Sequence, residues 1–377
     1  MLFKGTPSMP VGTLDRLIAR NGGIFNGFTT YDFTAYYETL PADRIELALQ
    51  IESDRMINSN FDPQEVENER TVILAEIDSY KNYPETWLDD ALKAAAFTAH
   101  PYHHPVIGYE ADIHAMTRDD LYQHYQTYYM PNNAVLVMVG DFGTDRMMQK
   151  VEHYFADLPV GPPFAQPHAI EPEPQGERRL IIQRPGTAQY VQIGYLVPDC
   201  RSPDFAALVV LDAVLSGAKS LSFDRQVQTN RSARIYQALV ETQLASMASS
   251  NYVPTRDPYL FELYATVNHT HTAAEVEAAL LQEIAKIQQD GTRPEELTRI
   301  IKQVRAQVAY GSERVTSQAD LLGLWEMIDT VQGYQRADTL LDEIAAVQCD
   351  DVQRVAQTYL TERRRTVGHF IPTEERG

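Results

Sequence analysis

The chain is poor in cysteine, in positive charge and in long apolar runs, and each shortage removes a class of protein. Cys200 and Cys349 are its two cysteines, 149 positions apart among 377 residues. That spacing suits neither a zinc site nor a redox pair, and the scarcity fits a reducing compartment. Lys and Arg number 32 against 52 Asp and Glu, a formal charge of -20. Such a field disfavours nucleic acid and anionic membranes, because phosphate binding needs clustered cations. The basic cluster Arg363–Arg365 is too short to offset it. The longest apolar runs, Ala134–Val139 and Ala206–Leu215, fall well short of the roughly 18 residues of a membrane span. The opening MLFKGTPSMPVGTL shows no apolar segment behind a basic one, so no signal peptide is visible. As written the chain reads as soluble and cytoplasmic, although an export signal lost with an N-terminal segment would leave no trace.

The length is about two and a half times a common domain of roughly 150 residues, which predicts two domains. Six prolines between Leu158 and Glu177 lock φ and remove backbone donors, so this stretch reads as an extended linker. The expected division is residues 1–160, a linker over 161–178, and 179–377. The two sides look like distant copies. Residues 112–129 (DIHAMTRDDLYQHYQTYY) match residues 343–360 (EIAAVQCDDVQRVAQTYL) at an offset of 231, with Asp119/Asp350, Asp120/Asp351 and Tyr128/Tyr359 among the identities. Each copy leads into a strand-like run, residues 134–139 and 365–371. Strands and helices come in separate runs, which predicts an α+β fold of two related domains, each an antiparallel sheet with helices packed on one face.

Helical periodicity is clearest over Pro63–Tyr80, PQEVENERTVILAEIDSY. Asp62 suits the N-cap, Pro63 the first turn, and Glu65 the reciprocal capping position. At about 100° per residue, Val66, Ile73, Leu74, Ile77 and Tyr80 share the face expected to be buried. Glu69 and Glu76 stand seven residues apart on one stripe beside it, with Val72 on their other side. A carboxylate pair there needs a cation, a metal or hydrogen-bond donors. A solvated edge, or local pairing with Arg70, reads the same pattern more plainly.

Several ordered blocks carry a resemblance. MLFKGT at the start, NGGIFNGFTTYDFTAYYETLP at 21–41, FDPQEVENERTVILAEI at 61–77, HPYHHPVIG at 100–108, YYMPNNAVLVMVGDF at 128–142 and SARIYQALVE at 232–241 together resemble the insulinase/pitrilysin family of zinc metallopeptidases. The resemblance implies an inverted H-x-x-E-H helix supplying two histidines and the general base, standing directly before Met1. It then implies Glu76 as the distal zinc ligand and Glu69 as its supporting carboxylate. It further implies that Asn26, Gly27, Phe28 and Thr29 form an edge strand that aligns extended peptide substrates; a hairpin turn after Gly22-Gly23 is the plainer reading. Arg256 with Tyr259 or Tyr264 is a candidate substrate contact in the second domain.

The chain contains no H-x-x-E-H, so the resemblance implies zinc in an intact enzyme and weak or no zinc binding here. It is therefore expected to be a zinc-endopeptidase family member acting on unfolded peptides, inactive as written, its first domain lacking the first strand and zinc helix. The alternative is a non-catalytic binding or structural subunit completing a partner peptidase's chamber. Either way a homodimer or a related subunit is the implied partner, with no nucleic acid and no membrane. His100, His103 and His104 are crowded, but their flanking prolines favour a turn. His269 and His271 beyond a strand end, and Lys219-Ser220 without a phosphate loop's glycines, carry little.

Overall fold

A computed structural model describes residues 1–163, 168–220 and 230–373; part of the proline-rich linker, residues 164–167, lies outside the described residues. In chain order the elements are α1 (Thr13–Arg20), β1 (Ile24–Thr29), β2 (Thr34–Thr39), α2 (Glu46–Asn58), α3 (Pro63–Tyr80), α4 (Pro84–Ala96), α5 (Glu110–Ala115), α6 (Arg118–Tyr128) and α7 (Thr144–Phe155). There follow β3 (Arg178–Pro185), β4 (Tyr190–Val197), α8 (Phe205–Ser216), β5 (Ala245–Tyr252), β6 (Tyr259–Val267), α9 (Ala273–Asp290), α10 (Pro294–Gly311), α11 (Val315–Ile328), α12 (Arg336–Ala346), α13 (Cys349–Tyr359) and β7 (Arg365–Thr373). Contacts divide the chain into two compact units. One comprises Met1–Ser79 with Val106–His168; the other comprises Tyr80–Pro105 with the chain from Ala169 onward. Among the described residues, no helix is long and apolar enough to cross a membrane.

In the first unit, β1 and β2 pair antiparallel from Ile24↔Thr39 to Thr29↔Thr34. Leu14 and Ile18, one turn apart on α1, pack with Ile51 of α2 and with Phe25 of β1. A second cluster joins Leu2, Phe61 and Tyr125. The Tyr125 hydroxyl donates to the Arg55 carbonyl at 2.9 Å and accepts from the Ser59 N–H at 3.1 Å, which settles two backbone groups at the end of α2. The run at 134–139 departs from expectation. It joins no sheet ladder among the described residues, although Ala134 has extended dihedrals, and Val135 and Leu136 remain 45% exposed. β-branched composition favours extension, but a ladder also needs a partner to take its backbone groups.

The second unit holds a five-stranded sheet ordered β3-β7-β4-β6-β5. It is mixed rather than purely antiparallel, because β3 and β7 run parallel. β7 inserts between β3 and β4, which the chain joins directly, and pairs antiparallel with β4; its direction then matches β3. Helices cover both faces, not one. On β4, β6 and β7, odd positions such as Phe261 face α8, through Tyr252 of β5 and Phe205. Even positions face α4: a Cβ on Gly194 would meet Leu92 Cδ2 at 3.0 Å, and one on Gly368 would meet Leu88 Cδ1 at 2.8 Å. Alternation along a strand puts these sets on opposite faces, so β4 and β6 are buried on both sides. The long helical stretch from Pro294 to Ile328 is two helices, α10 and α11, parted at Ser312–Arg314.

The repeat is visible in backbone detail. Thr117 and Asp120 form a capping box at α6, and Gln348 and Asp351 form one at α13, 231 positions on. Carboxylates also fasten the linker's end. Glu171 accepts from the N–H groups of Thr98, Ala99 and His100 at 2.8–2.9 Å and from the Thr98 hydroxyl at 2.7 Å. Burial raises its pKa, but these donors outweigh burial and leave it lowered. Further along, Glu277 of α9 binds His369 of β7 at 2.8 Å and Arg179 of β3. Burial opposes its charge, yet those partners hold the carboxyl down to about 2.

Two predictions follow from these contacts. Gly368→Ala drives a methyl into Leu88 and is expected to lower the stability of the second unit by roughly 1–3 kcal/mol, read from urea unfolding; an unchanged midpoint would mean that α4 can back away freely. Glu277 has a folded pKa below its unfolded value, so its contribution is full above about pH 4.5 and fades as pH falls towards 2. Glu277→Gln should cost roughly 1.5–3 kcal/mol at neutral pH and flatten the acid limb of a stability–pH curve.

Candidate functional site

The site expected from the sequence begins on α3. Asp62 caps it as read: its Oδ1 accepts from the Gln64 N–H at 2.8 Å and the Glu65 N–H at 3.3 Å. Glu65 turns its carboxylate elsewhere, accepting from Asn68 at 3.3 Å and lying 3.7 Å from Lys4. Val66 and Ile77 are buried and Ile73 and Leu74 half-buried, but Tyr80 is 41% exposed, so the buried stripe stops one turn earlier than the periodicity suggested. Glu69 is half-buried and meets Lys4 Nζ at 2.9 Å; this hydrogen bond raises the lysine's pKa. Arg70 pairs with Glu67 at 3.1 Å and donates to the Met116 carbonyl at 2.7 Å. Glu76, two turns beyond Glu69, is exposed.

Asn26, Gly27, Phe28 and Thr29 lie in β1, not in a turn; the turn is formed by Thr30–Phe33, closed by the Thr30 N–H to the Phe33 carbonyl at 2.8 Å. One edge of β1 pairs with β2, and among the described residues no ladder occupies its other edge. Phe25 and Gly27 point inward. Phe3 packs edge-on against Phe25 at 5.3 Å and Tyr36 at 5.6 Å. A Cβ on Gly27 would meet Tyr36 at 2.9 Å and both Phe3 and the Ala35 carbonyl at 3.2 Å. Neighbouring residues of one extended stretch therefore serve both features: Phe3 supports the β1–β2 ladder and Lys4 engages the Glu69 carboxylate.

Sequence reasoning missed what lies beneath β2. Arg55, 2% exposed, donates from Nε to Glu52 at 2.8 Å and from Nη2 to Glu38 at 3.1 Å. Its guanidinium also sits 4.7 Å from the Tyr36 ring. Burial, reinforced by Glu52 and opposed by Arg55, pushes the Glu38 carboxyl up to about 9. The only signal was a carboxylate at an inward strand position. In the second unit, Tyr259 is consumed in packing, stacked on Phe97 at 5.7 Å and edge-on to Tyr102 at 5.4 Å. Tyr264 and Arg256 are half-buried. The histidine run is a turn: His103 Nδ1 lies 2.8 Å from the His100 carbonyl, and buried His100 lies 3.4 Å from Asp257.

A zinc site needs about four donors in tetrahedral array. Among the described residues no group of three or more His, Cys, Asp or Glu side chains is gathered to hold a metal, and Glu69 is already engaged by Lys4. The donor set of these residues does not fit zinc.

Comparison with known proteins agrees with the resemblance seen in the blocks. Residues 1–110 match the model described as insulinase (peptidase family M16), and residues 115–304 match the peptidase M16 inactive domain. The chain is 25% identical over 378 residues to the zinc protease PqqE of Helicobacter pylori, covering 98% of this chain and 81% of that one. It is 25% identical over 386 residues to a probable mitochondrial-processing peptidase subunit beta of Arabidopsis thaliana, covering 100% and 70%. Among solved structures, a protease from Helicobacter pylori superposes with a TM-score of 0.91 at 24% identity, covering 98% of this chain and 87% of that one. The peptidase M16 inactive domain from Pseudomonas fluorescens gives 0.84 at 19%, covering 99% and 86%. Motif blocks, two-unit α+β fold and matched models agree: the chain belongs to peptidase family M16, the insulinase family.

Proposed function

We propose that these 377 residues form a peptide-binding unit of the M16 fold that receives an unfolded peptide as an added strand on β1, beside the Glu69–Glu76 stripe of α3, without hydrolysing it unaided. The observation that carries this reading is the Phe3–Lys4 stretch, which supports the β1–β2 ladder with one residue and engages Glu69 with the next. Strand addition draws affinity from backbone hydrogen bonds and tolerates varied sequence. Asn26, Gly27, Phe28 and Thr29 would take the peptide backbone. Gly27 keeps the ladder close to Phe3, since any side chain there collides. The acidic surface favours basic peptides over acidic ones.

Zinc belongs to relatives named zinc proteases; a bound zinc would supply Lewis-acid chemistry for hydrolysis. The resemblance would give Glu76 to the metal, with Glu69 as its support, but among the described residues the donors do not complete a site. The relative named as a subunit beta supports pairing with a second M16 chain, either another copy or a related subunit.

An unstructured peptide should bind, and N-methylation of alternate backbone amides should weaken it at least tenfold in one register only, as measured by fluorescence anisotropy. Equal affinity for all methylated forms would exclude strand addition. Chelator should leave both binding and the absence of cleavage unchanged. Equimolar zinc is likewise expected to leave the melting temperature where it was, for the wild type and for Glu76→Gln alike; a zinc-dependent rise abolished by Glu76→Gln would show that the chain does assemble a metal centre.

A further inference from the structure

The peptide site leaves a second buried carboxyl unused. Glu262 stands on β6, 2% exposed, on the face covered by α4. The side-chain amide of Gln192, itself 1% exposed on β4, donates from one nitrogen to two acids. Nε2 lies 3.2 Å from Glu262 Oε1 and 2.8 Å from Asp89 Oδ1 of α4. Lys93, one turn along α4, holds Asp89 Oδ2 at 2.6 Å and lies over the Tyr259 ring at 5.9 Å. Tyr264, two positions on along the same strand, draws the Glu262 pKa down. On β5, uncharged Asn251 stands opposite Glu262 in register. Asp90, beside Asp89, and Glu85, one turn before it and next to Tyr190 of β4, are the other acids of α4.

This bridge joins helix to sheet and is sensitive to one proton. With Glu262 neutral, Asp89 carries the negative charge of the bridge and Lys93 balances it. With Glu262 ionised, two carboxylates share one amide nitrogen in a dry interface, and the ammonium is already committed to Asp89. Repulsion and the cost of burying the second charge then act to part α4 from the sheet.

We propose that Glu262 is a proton-operated latch that holds α4 docked on the β-sheet when protonated and loosens it when ionised. Burial raises the Glu262 carboxyl to about 7; Lys93 pulls it down and Asp89 pushes it up again. Once the helix lifts, the carboxyl meets water and returns towards its ordinary 4.5. A group raised in the docked state stabilises it fully below about pH 4.5 and loses that contribution as pH rises through 7. The latch thus works between about pH 4.5 and 7. Because Lys81–Tyr83 alone separate α3 from α4, it acts on the segment that leaves the Glu76 helix.

Hydrogen exchange of the α4 amides, corrected for intrinsic rates, tests this independently of any peptide binding. In the wild type the opening constant should rise up to ~10-fold per pH unit between pH 5 and 7 and flatten above. Glu262→Gln, which keeps the shape and removes the charge, should abolish the slope. Asp90 is also held above its ordinary range, by burial and by Asp89, so Asp90→Asn is the control and should keep the slope. A flat wild-type profile, a slope surviving in Glu262→Gln, or one lost in Asp90→Asn would each overturn the latch. Should Glu262→Gln fail to fold, the carboxyl 13C titration of wild-type Glu262 decides: a midpoint near 7 supports the latch and one near 4.5 overturns it.

Discussion

The docking of α4 onto the five-stranded sheet is the contact on which the second unit depends. Leu88 and Leu92, one helical turn apart, lie over Gly368 and Gly194 on adjacent central strands. Two missing side chains let the helix approach closely enough to bury that face, and Ala or anything larger would lift it. The same approach carries Asp89 and Lys93 down onto Gln192 and Glu262. Apolar closeness and the buried polar bridge are therefore one design: without the glycines the amide could not reach both acids. The chain enters this helix from α3, so first-half sequence completes the second unit's core.

In the first unit the organising element is smaller. Phe3 packs on the β1–β2 ladder and Lys4 engages Glu69 of α3, while Arg55, itself held by Glu52, meets Tyr36 and Glu38 directly. A two-stranded ladder is marginal without support, and here support comes on one face, where Phe3 and the buried Arg55 guanidinium, 5.4 Å from the Phe3 ring, pack together beneath Phe25, Tyr36 and Glu38. Peptide recognition by strand addition asks for such a ladder: rigid where it is backed, open along one edge.

Local order was legible in the residues. The strand-like run at 365–371 located β7 closely, Asp62 marked the start of α3, and the offset of 231 foreshadowed the paired capping boxes of α6 and α13. The ordered blocks named the family. What stayed hidden was partnership. Periodicity says which face of α4 is apolar, not that the face is spent on a sheet from the other half of the sequence. It placed Tyr80 on a buried arc that the fold ends a turn sooner. A carboxylate within YLFELYATV was a readable oddity, since a charge at an inward strand position demands a partner; the identity of that partner, Gln192 with Asp89 behind it, is a matter of three-dimensional register.

The repeat makes residues 134–139 worth following further. Shifted by 231, they fall on Arg365–Phe370, in the strand wedged between β3 and β4 of the second sheet. In the first unit the equivalent AVLVMV run has no ladder among the described residues and leaves Val135 and Leu136 half in solvent. Extended apolar backbone of this kind is a template for association between identical chains. A net charge of -20 opposes that by mutual repulsion, but over a range set by the Debye length. Solubility is thereby tied to ionic strength: dilute buffer keeps the chains apart, and salt removes the barrier before it disturbs the fold.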